Sequence, residues 1–422
     1  MAEVLIAPRV MTGDENVTDG AVVIGDAIID WAGPAGALPA EYAALPRTDY
    51  PGSTIMPGLI DGHVHLGFDG GPDPVARMRG ETDEQQLVLM LRSARELLGV
   101  GVTTARDLGG RAYLDVVVRD AVAGGLARGP RLVVAGPPIT VTGGHCWFMG
   151  SEADSEDDLR RMVRTHHKHG TDLIKVMSTG GFMTTGSAPW YAQFTAAQLA
   201  VVVEEAARVD KPVAAHAHGI EGIRRSVEAG VSTLEHCSFV TETNERRFDE
   251  PLAARIAERK IFVCPTVNVN APYVARLTGI KVGAHLKAMH EMGVRIFAGT
   301  DAGIADTPHH QYVGGLEHLV TVGFEPGEVL AMATTEAAAA LGLDAITGRL
   351  APGYEADLIV VHGDPRADIA VLGKLDRVIA RGRDYLPDSG RFDVSAPGTP
   401  YASPEHSVDM RRLTEATRRR QA

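Results

Sequence analysis

The chain has 422 residues, 45% hydrophobic and 23% charged, an ordinary globular composition with enough apolar material for a large core. Its formal net charge of −13 argues against a nucleic-acid partner, which needs a basic surface to neutralise phosphates. Three cysteines, Cys146, Cys237 and Cys264, are too few and odd in number for a disulfide framework, so a reducing compartment is expected.

The stretch MAEVLIAPRVMTGDENVTDG has no basic segment followed by a long apolar one, so no secretory signal is read there. Nor does any stretch approach the ~20 apolar residues of a membrane span. The expectation is a cytoplasmic protein, a homo-oligomer acting on a small-molecule substrate, with no nucleic acid and no membrane.

Residues 1–56 alternate short apolar runs with Gly, Pro and Asp, as in VLIAP and AVVIGDAIIDWAG, which reads as strands of a small sheet. The texture returns in GRLAPGYEADLIVVHGDP and LDRVIARGRDYL, so the two chain ends are expected to share one small β-domain. Between them β-type runs recur at Thr54–Ile60, Val102–Asp107, Arg131–Ala135, Leu173–Met177, Val213–His216, Ser232–His236, Ile261–Pro265 and Arg295–Thr300. Helical patterns such as EQQLVLMLRSARELLGVG and AAQLAVVVEEAARVDK fill most of the intervals. Strand–helix alternation of this kind predicts an α/β fold, a (β/α)₈ TIM-like barrel with a small β-sandwich domain. The expected division is 1–56 and 344–395 for the two parts of the small domain, 57–343 for the barrel, and 396–422 for a C-terminal arm.

Polar residues gather where the apolar runs stop. GLIDGHVHLG gives His63 and His65, LIKVMSTGG gives Lys175, and PVAAHAHG gives His216 and His218; TLEHCSF gives His236 and IFAGTDAG gives Asp301. In a parallel barrel these strand ends share one face. Residues i and i+2 of a strand point the same way, so His63 and His65 can bind one ion. Imidazole and carboxylate suit zinc, manganese or cobalt. Each residue alone has a blander explanation: a structural His-x-His, a snorkelling lysine, a satisfied core histidine at His236, a helix cap at Asp301. The set on one face is far harder to explain by chance. His166, His167 and His169, in HHKHG, sit at a helix end and read as solvated surface.

At these residues the sequence resembles the amidohydrolase superfamily along nearly its whole length. PGLIDGHVHL resembles the superfamily's first-strand motif. GVTTARDLGG, GPRLVVAGPPITVTGGH, IKVMSTGGFMTTGSAP, KPVAAHAHGIEGIRRSVEAGVSTLEHCS and GTDAG resemble a narrower group, called imidazolonepropionase-like. That group includes Xaa-Pro and Xaa-Arg dipeptidases, ochratoxin amidase, and hydrolases of phenylureas and thiocarbamates. The resemblance implies two divalent metal ions, zinc first with manganese or cobalt as alternatives. His63, His65 and Asp301 would hold the buried ion, and His216 and His236 the exposed one. Lys175, carboxylated by CO₂ to a carbamate, would bridge both. It further implies Asp301 as proton shuttle, with His145 of the TGGH motif and His218 contacting the substrate carbonyl. After TGGH the chain departs from the group with CWFMGSE, where Trp147 and Phe148 are either core or pocket wall.

The expected reaction is hydrolysis of an amide-type C–N bond in an N-acyl amino acid or dipeptide. Tyr273 and Arg276 are candidates for a substrate carboxylate, with surface cover as their plain alternative. Trp147, Phe148 and Trp190 are candidates for an apolar wall. A urea, carbamate or cyclic amide is the alternative substrate. A one-metal deaminase fits poorly, because no glutamate accompanies His216 and Lys175 would have no role. A non-catalytic scaffold on the same barrel is the reading from a different class.

Overall fold

The computed structural model describes residues 2–385, so the expected arm at 396–422 and the end of the 344–395 segment lie outside the described residues. The strands are β1 (Glu3–Met11), β2 (Asn16–Ile24), β3 (Ile29–Pro34), β4 (Arg47–Asp49), β5 (Ser53–Pro57), β6 (Leu59–Val64), β7 (Val102–Asp107), β8 (Arg131–Val134), β9 (Ile174–Met177), β10 (Val213–Gly219), β11 (Thr233–Val240), β12 (Phe262–Cys264), β13 (Leu358–His362), β14 (Leu375–Ala380) and β15 (Arg383–Tyr385).

One sheet takes strands from both ends of the sequence, in the order β15-β14-β13-β5-β1-β2-β3, with β4 also on β1. The period of two in a strand sends alternate side chains to opposite faces. Leu5, Val10, Val22, Ile55, Leu358 and Ile379 thus meet in one buried cluster, while Val4, Ala21 and Val23 pack the other way, against Trp31, Leu38 and Tyr42. β13 closes onto β5 in antiparallel register, Leu358 opposite Pro57 and Val360 opposite Ile55.

Two parallel ladders make up the middle of the chain, β6-β7-β8 and β9-β10-β11-β12. Their strands are buried on both faces, which is why they read as apolar runs rather than as alternation. Helices cover them, as the two quoted patterns predict, at Asp83–Gly99 and Ala196–Ala207. Both start in capping boxes, Thr82 with Gln85 and Thr195 with Gln198. Among the described residues no helix is long and apolar enough to cross a membrane.

Three expectations change. Thr54–Ile60 is two strands rather than one: β5 joins the terminal sheet, Gly58 breaks the run, and β6 starts the first parallel ladder. Apolarity cannot separate two buried strands that follow one another directly. Arg295–Thr300 is no regular strand but a segment with isolated parallel bridges, Val263 to Ile296 and Val64 to Ala302, lying between β12 and β6. His166 is buried rather than solvated. It falls three and seven residues after Val163 and Leu159 on the inward stripe of the helix Glu156–His169, and its Nε2 donates to the Pro137 carbonyl at 2.7 Å.

Leu358 is fully buried in the terminal sheet, between partners on β5 and β14. Leu358→Ala should lower unfolding stability by about 2–5 kcal/mol, read from the shift of a denaturant midpoint. A loss under about 1 kcal/mol would mean that the sheet contributes little to holding the chain together.

Candidate metal centre

The end of β6 brings His63 and His65 to one carboxylate. Their Nε2 atoms lie 3.3 and 3.1 Å from the same oxygen of Asp301, Oδ1. Asp301 reaches them because the 296–302 segment runs tight against β6. A Cβ on Gly299 would stand 2.9 Å from the His63 amide nitrogen and 2.4 Å from Cys264 Sγ, so only glycine fits there. Asp61 fastens the same contact, accepting from Thr300 Oγ1 at 2.6 Å and from the backbone N–H groups of Thr300 and His63.

His216 and His236 come from neighbouring strands, β10 and β11, and face each other with His216 Nδ1 2.9 Å from His236 Nε2. His218 stacks on His236 at 4.2 Å between ring centroids and holds Ser238 Oγ at 3.0 Å through Nδ1. His63 stands 5.2 Å from His236, ring to ring. Metal-ligating atoms converge within 4.8 Å of one another in two groups here, His63 with His236 and Asp301, and His216 with His218 and His236. A third group, His63 with Glu235 and Cys264, suits an ion poorly. Glu235 is already committed to Arg106, and burial raises the Cys264 thiol well above its ordinary value.

The hydrogen bonds fix which ring nitrogens are free. Glu235 is fully buried, which opposes its charge, but Arg106 at 2.8 Å and the bond from His63 hold its carboxyl down to about 2. An ionised carboxylate only accepts, so His63 Nδ1–H donates to Glu235 Oε2 at 2.8 Å and Nε2 keeps its lone pair toward Asp301. The Gly180 carbonyl likewise takes the proton of His216 Nε2 at 3.0 Å, leaving Nδ1 as the lone pair facing His236. His236 Nδ1 meets Thr266 Oγ1 at 2.8 Å, a hydroxyl able to donate or accept, so the proton of His236 can sit on either nitrogen. The tautomers of His63 and His216 are those that a cation requires, and His236 joins them with its proton on Nδ1 toward Thr266.

Electrostatics agree. Burial favours the neutral form of five imidazoles here, pushing His63 down to about 4, His145 to about 3, and His216, His218 and His236 well below their ordinary value. Burial opposes the charge on Asp301 too. His63, His65 and Lys175 outweigh it, and its carboxyl lies well below the usual range. Lys175 is 1% exposed, and burial drops its amine to about 8 despite Glu235 and Asp301 nearby. Its charge weighs on His63, His145, His216, His218, His236 and Asp301, which sets its amine among them. No hydrogen bond or ion pair occupies that amine among the described residues. A buried amine without a partner among neutral imidazoles and one carboxylate is a donor set that fits divalent metal.

The remaining candidates divide. His145 is buried beside His216, 4.7 Å between centroids, and its Nδ1 has no partner. Gly181 makes room for it, since a Cβ there would come within 2.3 Å of His145 Nε2. Trp147 is 39% exposed, under the Arg79 guanidinium, whereas Phe148 packs partly buried against the cluster of Phe68 and Met149. The Trp190 backbone lies over Gly219, one residue past His218. Tyr273 and Arg276 stand on the helix Ala271–Thr278, with the exposed Arg276 over the Tyr273 ring at 5.5 Å, and among the described residues no contact ties Arg276 to the histidines. Sequence reasoning missed Asp61, Arg106, Glu235 and Thr266, which orient the ligands.

Residues 54–384 match the amidohydrolase family. The chain is 30% identical over 404 residues to ochratoxinase of Aspergillus niger, covering 87% of this chain and 82% of the relative. It is 29% identical over 391 residues to imidazolonepropionase of Ruegeria sp. (strain TM1040), with 84% and 89% covered. Among solved structures it is similar to an Xaa-Pro dipeptidase with methionine bound in the active site, at TM-score 0.82 and 28% identity, over 91% of this chain and 100% of that one.

Glu235→Gln removes the charge that holds the His63 proton on Nδ1. Retention of divalent metal should weaken roughly 10- to 100-fold, measured by competition with a chelator. Undiminished retention would show that Glu235 does not orient a ligand.

Proposed function

Because the chain belongs to the amidohydrolase family, we propose that it is a two-metal hydrolase that cleaves the amide bond of an N-acyl amino acid, a dipeptide or a related small carboxamide. It is a hydrolytic enzyme acting on C–N bonds. The observation that carries the finer reading is Lys175, a buried amine without a partner, set among His63, His65, His216, His236 and Asp301.

His63, His65 and Asp301 would hold one ion, zinc before manganese or cobalt, and His216 and His236 the other. Lys175 would serve as a carbamate between them: its neutral amine bonds to CO₂ and releases a proton, giving two oxygens. When bound, such ions polarise a carbonyl oxygen and make water acidic near neutral pH. Asp301 uses Oδ1 toward His63 and His65, which leaves Oδ2 to take the proton of the attacking water and return it to the leaving nitrogen. Its side chain is 14% exposed against 1% for His63, so of the two it faces the substrate. His145 and His218, neutral and on the other side of the cluster, would donate N–H to the carbonyl oxygen as negative charge develops. Trp147, Phe148 and Trp190 would line the apolar side. The two parallel ladders would close through the 296–302 segment into a (β/α)₈ barrel over 57–343, with the terminal sheet as a sandwich from 1–56 and 344–395.

The substrate class has support from two relatives. Ochratoxinase is one, and the solved Xaa-Pro dipeptidase holds an amino acid, methionine, in its active site. The purified enzyme should carry close to two divalent ions per chain and hydrolyse amides of this class. Asp301→Asn should cut kcat by about 10²- to 10⁴-fold with a smaller change in KM. Lys175→Ala should lose activity and regain part of it with added short carboxylic acids. Turnover confined to neutral ureas or carbamates, or full kcat in Asp301→Asn, would overturn the proposal.

A further inference from the structure

A guanidinium without an anion stands beside the metal centre. β10 and β11 shift register at the histidines, and their ladder resumes two residues on along β10 and four along β11, Gly219 opposite Val240. Val240 in turn bridges Arg246, because the chain folds straight back on itself. The turn is tied by Thr241 N–H to Glu245 O at 2.9 Å, Asn244 N–H to Thr241 O at 2.9 Å and Arg247 N–H to Phe239 O at 3.0 Å. Arg246 is therefore carried two strand spacings, about 10 Å, from the backbone that bears His218.

Its side chain turns toward the site. The guanidinium carbon lies 5.9 Å from the Phe182 ring centre, and the Phe182 ring stands 5.0 Å from His218 at 70°. Among the described residues its guanidinium makes no ion pair or hydrogen bond, although Glu242 and Glu245 share its turn. An arginine on a backbone-locked turn, seated on an aromatic face and still without an anion, is preorganised for an anionic ligand. In an N-acyl amino acid or dipeptide the free carboxylate is two bonds beyond the amide nitrogen, on the leaving side of the carbonyl that His218 would contact.

We propose that Arg246, seated on Phe182, receives the free carboxylate of the substrate and makes the enzyme selective for amides of amino acids over neutral amides. This rests on amide hydrolysis at the metal centre, and it gives the role expected of Arg276 to a different arginine. Both arginines are exposed, but among the described residues Arg276 has the Tyr273 ring of its own helix beside it, whereas Arg246 reaches the Phe182 ring that stands next to His218.

The test compares kcat/KM of the metal-loaded enzyme for an N-acyl amino acid with that for the N-acyl amine of the same skeleton lacking the carboxylate. The wild type should prefer the first. Arg246→Gln should lose about 10- to 100-fold of that preference, mainly through a higher KM for the carboxylate substrate, and Arg246→Lys should restore part of it. Metal content serves as the check on folding. If Arg246→Gln does not fold, Phe182→Leu must lower the preference in the same direction. An unchanged preference in the variants, with amide hydrolysis intact, overturns the role of Arg246 alone. A wild type that cleaves neither amide overturns the proposed function and this role with it.

Discussion

A row of three buried groups organises the centre. Arg106, Glu235 and His63, each 3% exposed or less, join β7, β11 and β6 in one line of charge and hydrogen bonds. Arg106 also reaches the Gly62 carbonyl and Thr233 Oγ1, so its donors are spread over both parallel ladders. Removing one partner of such a buried pair strands the other, at a cost of roughly 3–5 kcal/mol. Because Glu235 must stay ionised, the His63 tautomer is set before any ion arrives. The Gly180 carbonyl does the same for His216, and Asp61 ties the Asp301 segment to β6 from the opposite side. His63, His216 and the Asp301 segment are thus each tied to a group outside the cluster as well as to one another.

The clustered histidines and Asp301 were legible because alternation along a strand is rigid: two histidines two apart must share a side, and the ends of neighbouring parallel strands lie together. Their supports were not. Asp61 and Arg106 sit inside PGLIDGHVHL and GVTTARDLGG, where nothing local separates a buried staple from a solvated charge. Their meaning lies in partners far along the chain, Thr300 for the one and Glu235 for the other. Arg246 is a further case, since only the fold of its turn brings it beside Phe182. Apolar runs told where buried strands lie, but not that β5 and β6 belong to different sheets. His166 shows the converse, a histidine in a polar-looking cluster whose helical phase turns it inward.

Some of the backbone strain lies at the histidine cluster. Cys146, His236, Cys237, Phe239, Thr266 and Asp301 all have positive φ without being glycine. Each such residue costs on the order of 1–3 kcal/mol, which the surrounding packing and hydrogen bonds must offset. The strain has a visible result at β11, where successive left-handed residues bend the strand end so that His236 faces His216 while Ser238 stays within reach of His218.

The terminal sheet has a bearing on how the polypeptide is made. β5 leaves the ribosome early, yet one of its two neighbours is β13, roughly 300 residues later by the register of Pro57 with Leu358. Until then one edge of β5, all five of its residues destined for the interior, presents unpaired N–H and C=O groups to whatever passes. Nascent chains crowded on one message would offer that edge to each other, and sequences of high contact order linger longest in such states. The polypeptide is thus open to mispairing during its own synthesis, at a strand that belongs to the terminal sheet.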